Sequence, residues 1–148
     1  CNTVHVLLPE LQASTNVPFL SIPQLVADKV KIAGHKRVGL LATPTTLTST
    51  LYDDALSGAV DIIRPKTAFA KQIESYIYKM LDGTLNETDR RNFKNKVKIF
   101  RQENNLDAVI LGCTELPLIY GESLYDEGVL DTLQLLADGL LENYFSES

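Results

Sequence analysis

The sequence predicts an α/β fold built on a parallel sheet, and three observations carry that prediction. Short apolar runs alternate with helix-like stretches of ten or more residues along the 148-residue chain. The clearest runs are continuous rather than alternating, as in strands buried on both faces. Proline or an N-cap residue opens the intervening stretches and glycine closes them.

Taken in order, a helix is expected over much of 3–14, followed by a short strand from Pro18 to Ile22. Pro23 suits the first position of the next helix, and Gly34 ends it. Val38-Gly39-Leu40-Leu41-Ala42 reads as a buried strand. Thr43-Pro44 then gives an N-cap followed by proline, and Leu47, Leu51, Ala55 and Leu56 form one helical stripe. Val60 to Ile63 is a second buried strand, closed by Pro65. Residues 69–82 carry Ile73, Ile77, Met80 and Leu81 on one side and stop at Gly83. Residues 87–104 carry Phe93, Val97 and Phe100, with Asn86 as N-cap and acidic residues in the first turn. A third strand, Ala108-Val109-Ile110-Leu111, runs into Gly112-Cys113-Thr114-Glu115. After an irregular stretch and a strand near 128–130, Leu133, Leu136, Ala137, Leu140, Leu141 and Tyr144 mark a docked amphipathic helix.

Composition excludes several function classes. The chain is 45% hydrophobic and 22% charged with net charge −5, ordinary for a globular domain. No apolar run reaches the ~20 residues a membrane helix needs, so no membrane partner is expected. Lys94, Lys96 and Lys98 with Arg90, Arg91 and Arg101 alternate with apolar residues at helical spacing, which reads as a solvated helix face and not a nucleic-acid stripe. Asn86-Glu87-Thr88 matches a glycosylation sequon but serves better as a helix start. Two distant cysteines make no disulfide framework, and with no secretory signal the expected location is cytoplasmic. Two thiols and two scattered histidines have no metal-ligand spacing, so no metal is expected. A nucleotide cofactor has no glycine-rich phosphate loop to support it.

The chemistry concentrates at the two cysteines. In parallel α/β sheets ligands bind at the carboxyl ends of strands, where loops lead into helices. Cys113 sits just past a buried strand, and Cys1 just before a helix. A helix N-terminus favours the thiolate and is expected to bring its pKa from about 8.5 towards neutrality, which suits a general base. Asn2, Thr3 and Thr114 add side-chain donors suited to an anionic substrate. His5, one turn from Cys1, is in reach of polarising it or of packing on the helix surface; His35 reads as exposed.

Cys1-Asn2-Thr3-Val4-His5 and Leu111-Gly112-Cys113-Thr114-Glu115-Leu116-Pro117 resemble the two signature motifs of the aspartate/glutamate racemase family. Leu40-Leu41-Ala42-Thr43, followed by Thr46, Ser49 and Tyr52, resembles a third segment between them. Glu115 resembles the aspartate-racemase branch, since the glutamate branch usually has histidine there. The resemblance implies two pseudo-symmetric parallel-sheet domains, one complete and one partial in this chain. Residues 1–22 are the remainder of the N-terminal domain, 23–127 the second domain, and 128–148 a strand and helix returning to the first. It also implies a cofactor-independent racemase, with no pyridoxal phosphate. Cys1 and Cys113 would exchange protons with opposite faces of Cα, and Asn2, Thr3, Thr43, Thr46, Thr114 and Glu115 would line the substrate site. The implied partners are a small amino acid, a preceding segment of the same protein and a second copy in a homodimer.

Three departures accompany the resemblance. The family carries about half a domain before the first cysteine motif, so the chain reads as N-terminally truncated and inactive alone. Thr45 stands where glycine is common, and Asp82 where many aspartate racemases have lysine, which opens the substrate class to neutral amino acids. Two other readings remain: an N-terminal cysteine amidohydrolase, whose fold would be an antiparallel layered sheet, and a non-catalytic amino-acid-binding member of the family.

Overall fold

The computed structural model describes residues 1–121 and 126–146. A 3-10 turn, Thr3–Leu7, leads into α1 (Leu8–Ala13) and then α2 (Ile22–Ala33). β1 (Arg37–Ala42) is followed by α3 (Pro44–Thr48), α4 (Leu51–Leu56) and β2 (Asp61–Ile63). Next come α5 (Thr67–Leu81), α6 (Glu87–Glu103), β3 (Ala108–Gly112), α7 (Glu115–Tyr120), β4 (Val129–Asp131) and α8 (Thr132–Ser146). The strands form one sheet in the order β2-β1-β3-β4, and every pairing is parallel. That is the α/β fold expected, and it differs from the antiparallel sheet of the amidohydrolase reading.

Helices cover both faces of the parallel sheet, and its central strands are accordingly apolar on both sides. Leu41, Val109 and Leu111 face a core with Ile73, Phe93, Val97 and Phe100 from α5 and α6. Leu40, Ala108 and Ile110 face a second core with Ile22, Val26, Val30 and Tyr52. Gly39 permits the first of these layers to close. A Cβ there would lie 2.6 Å from Phe100 and 2.7 Å from Leu106, both buried. Gly39→Ala is therefore expected to destabilise the fold by about 1–3 kcal/mol in urea titration. A loss under ~0.5 kcal/mol would show slack in that layer.

The helix signals hold where side chains act locally. Ser21 caps α2, Gly34 ends it at φ 71°, and Asn86 caps α6 in a reciprocal capping box with Asp89. Four expectations change. Pro18 to Ile22 forms no strand: Val17 and Phe19 are exposed with no neighbouring strand to pair, and Ile22 already opens α2. The helix after β1 breaks at Ser49, which is extended (ψ 163°) while its hydroxyl donates to the Thr46 carbonyl. The stretch after Glu115 is not wholly irregular, because α7 occupies its first part; 122–125 lie outside the described residues. Finally, α8 docks by another stripe. Leu135, Leu136 and Gly139 face inward, and Gly139 brings the helix so close to Leu25 of α2 that a Cβ would meet it at 2.8 Å. Leu133, Leu140, Leu141 and Tyr144 are left exposed. Two apolar series overlap on this helix, and the glycine decides between them. β4 pairs with β3, and α8 packs on the sheet against α2. Among the described residues no helix is long and apolar enough to cross a membrane.

Candidate active site

The carboxyl ends of β1, β3 and β4 share one sheet edge, and the amino-terminal turn is bonded across it. Thr43 follows β1; its hydroxyl lies 3.0 Å from that of Thr3 and 3.2 Å from that of Thr46, and Thr3 lies 3.1 Å from Thr46. Thr132 follows β4; its hydroxyl accepts from the Asn2 amide at 3.1 Å and donates to the Leu111 carbonyl of β3 at 2.8 Å. The Tyr52 hydroxyl donates to Asn2 Oδ1 at 2.5 Å. His5 fixes the start of the turn, its Nδ1 donating to the Cys1 carbonyl (2.9 Å) and its Nε2 accepting from the Ile22 N–H (3.1 Å). This pattern assigns the neutral imidazole, and burial lowers the His5 pKa accordingly. Its ring is thus engaged with backbone, not with the Cys1 thiol.

Cys113 follows β3 directly, between the strand ends that hold Thr3 and Asn2. Both cysteines are free thiols, Cys1 exposed and Cys113 buried. The Cys113 thiol donates to Glu115 Oε2 at 2.8 Å, and the Thr114 hydroxyl donates to the same oxygen at 3.1 Å. The predicted drop in the Cys113 pKa is reversed. Burial, then the hydrogen bond to Glu115, pushes it up to about 12, and the backbone N–H at the start of α7 does not compensate. Burial alone would raise Glu115, but the bonds from Cys113, its own N–H and Thr114 outweigh it and hold the carboxyl below its usual range. Cys113 is therefore a protonated thiol against a carboxylate. Thr132 links the two cysteine segments, accepting from the Asn2 amide and donating to the Leu111 carbonyl two residues before Cys113.

The six expected site residues beside the thiols divide by role. Thr3, Thr43 and Thr46 form one hydroxyl cluster, and Thr114 and Glu115 flank Cys113. Asn2 has its side chain turned inward at 1% exposure, with both its polar atoms engaged. Asp82 caps the turn after α5, accepting from the Thr84 N–H (2.9 Å) and hydroxyl (2.6 Å). Thr132 was not anticipated. Its signal is positional: like Thr43 and Thr114, it follows a strand of this sheet. Among the described residues no group of three or more His, Cys, Asp or Glu could hold a metal ion.

The sheet thus carries Cys113, threonine hydroxyls and the Glu115 carboxylate just past its strand ends, the side of a parallel α/β sheet on which ligands bind. The family model for Asp/Glu/hydantoin racemase matches residues 1–139, and the chain belongs to that family. It is 30% identical to the glutamate racemase of Histophilus somni (strain 2336) over 124 residues, 82% of this chain and 45% of that protein. The glutamate racemase of Aquifex pyrophilus is 30% identical over 144 residues, 93% of this chain and 54% of that one. Among solved structures, an aspartate racemase homologue from Pyrococcus horikoshii OT3 superposes with TM-score 0.80 at 27% identity, covering 96% of this chain and 63% of that chain. Picrophilus torridus aspartate racemase gives 0.79 at 27%, covering 97% and 59%. The chain spans about half the length of these glutamate racemases.

Proposed function

We propose that this chain supplies both acid/base thiols of an amino-acid racemase of the aspartate/glutamate type, working without pyridoxal phosphate. One observation carries the reading: the turn holding Cys1 is bonded to the strand ends on either side of the one that carries Cys113. In one direction the Cys1 thiolate takes the α-proton, leaving the electron pair on Cα delocalised into the substrate carboxylate. The Cys113 thiol then gives its proton to the opposite face, ending as thiolate while Cys1 ends as thiol. Thiols of comparable type on both faces suit a reversible transfer between enantiomers of equal energy. Thr3, Thr43, Thr46 and Thr114 are the donors for the substrate carboxylate, whose charge grows as the proton leaves. Asn2 serves this site from beneath, through the backbone it fixes.

The partners on this reading are an amino-acid substrate, a preceding segment that completes the second wall, and a second copy in a homodimer, in the cytoplasm. Exposed Val6, Leu7, Phe19, Leu140 and Phe145 offer apolar surface for such partners. With Asp82 engaged by Thr84, the side-chain class is left to the remaining wall, so aspartate, glutamate and neutral amino acids all belong in the test. The chain, alone and co-expressed with the N-terminal portion of a family member, is given each L-amino acid in deuterated water. Deuterium entering Cα together with the D-enantiomer is expected for the completed protein and not for the chain alone. Binding without exchange in the completed protein would favour the non-catalytic reading.

A further inference from the structure

We infer that Tyr52 and Thr132 are positioning residues that set where the Cys1 thiol stands; this rests on the proposed racemase reading for what the position serves. The Asn2 side chain lies in the core with Tyr52 and Thr132, all three essentially without solvent exposure. Its carbonyl oxygen accepts from the Tyr52 hydroxyl, its amide donates to Thr132, and Thr132 donates on to the Leu111 carbonyl. The chain of bonds runs unbroken from α4 through the residue next to Cys1 to Leu111 near the carboxyl end of β3, one residue short of Gly112 and two short of Cys113. Burial, then the proximity of Cys113, pushes the Tyr52 pKa up, so the same phenol lies near both thiol segments.

Such a network is costly to half-break. Removing one hydroxyl leaves a buried amide atom with no water to replace its partner. The cheapest relief is for Asn2 to swing out, and the peptide it carries is the one that holds Cys1. The other two ties of this turn bear on different atoms: Thr3 on the α3 hydroxyls, and His5 on the Cys1 carbonyl and α2. Neither fixes the Asn2 side chain. Tyr52 also packs by its ring among Ile22, Val26 and Leu40, a contact that survives removal of its hydroxyl.

The test uses the 148-residue chain and compares amide hydrogen exchange at 3–7 with that at 108–112 in Tyr52→Phe, Thr132→Val and Thr132→Ser. Exchange at 3–7 should rise on the order of tenfold in Tyr52→Phe and Thr132→Val, while the β3 amides hold and Thr132→Ser stays near the parent. In the completed protein the same two variants should lose kcat for α-proton exchange by about tenfold or more, with KM little changed. Unchanged exchange at 3–7, or an equal rise in β3, overturns the inference, the second because the hydroxyls would then serve the whole core. Should Tyr52→Phe fail to fold, the Thr132→Val and Thr132→Ser pair decides. A parent protein that turns over no amino acid sinks the racemase reading alone, since the exchange comparison still reads the clamp.

Discussion

Cys113→Ser is expected to cut racemisation by the completed protein by a factor on the order of 10²–10⁴, the usual worth of one positioned acid/base group. Serine keeps the shape and a donor, but its hydroxyl ionises far above any working pH. It can neither take nor return a proton at a useful rate. Cys1→Ser should cost a similar factor for the same reason. The two losses should not add, because a transfer that needs both faces is already stopped when one is removed. The partial reactions sharpen the test. With Cys113 gone, the thiolate of Cys1 still removes the proton from one enantiomer, so washout of Cα deuterium from that enantiomer should outlast racemisation. Racemisation unaffected by either substitution would end the two-thiol proposal.

The sequence made the placement of Cys113 legible because everything that sets it is local. A continuous apolar strand ends at Gly112, and Cys113 is the next residue, just before α7. The cap at Asn86 and the stop at Gly34 were legible for the same reason. Asn2 was not. Its neighbours in sequence are a cysteine and a threonine, whereas its hydrogen-bond partners lie 50 and 130 positions away. A motif suggests that such an amide faces a ligand, and only the closed sheet shows it facing inward. The strand expected at Pro18 failed in a related way: a run of suitable residues is a strand only if another strand lies beside it. On α8, two overlapping apolar series could not be ranked without knowing that Gly139 meets Leu25.

The thiol pKa shows how a local rule is overridden by burial together with one side chain, and it leads to the second large effect. A helix start favours a thiolate, yet Glu115 turns its carboxylate back onto Cys113 in a site already short of water. In a Cys1→Ser background, which leaves Cys113 as the single thiol, Glu115→Gln should lower the Cys113 pKa from about 12. It should not restore the ordinary 9.0, because burial is the larger cause and remains. Thiolate absorbance across a pH titration reads the change. Stability supplies an independent check with a definite sign. Between 9 and about 12 the unfolded thiol has lost its proton while the native one keeps it, so the unfolded state binds fewer protons and stability falls as pH rises. Glu115→Gln brings the native value down and shortens that window, so its urea midpoint should fall less steeply above pH 9 than that of the same chain with Glu115. For turnover the carboxylate has opposite effects on the two half-transfers. It holds the proton on Cys113 when that thiol is the donor, and opposes ionisation when it must be the base. Glu115→Gln should therefore move the alkaline gain in rate for the enantiomer deprotonated by Cys113 to lower pH, and leave the profile of the other enantiomer nearer to the parent's. Equal displacement of both profiles would mean that the carboxylate acts on the bound substrate and not on the thiol.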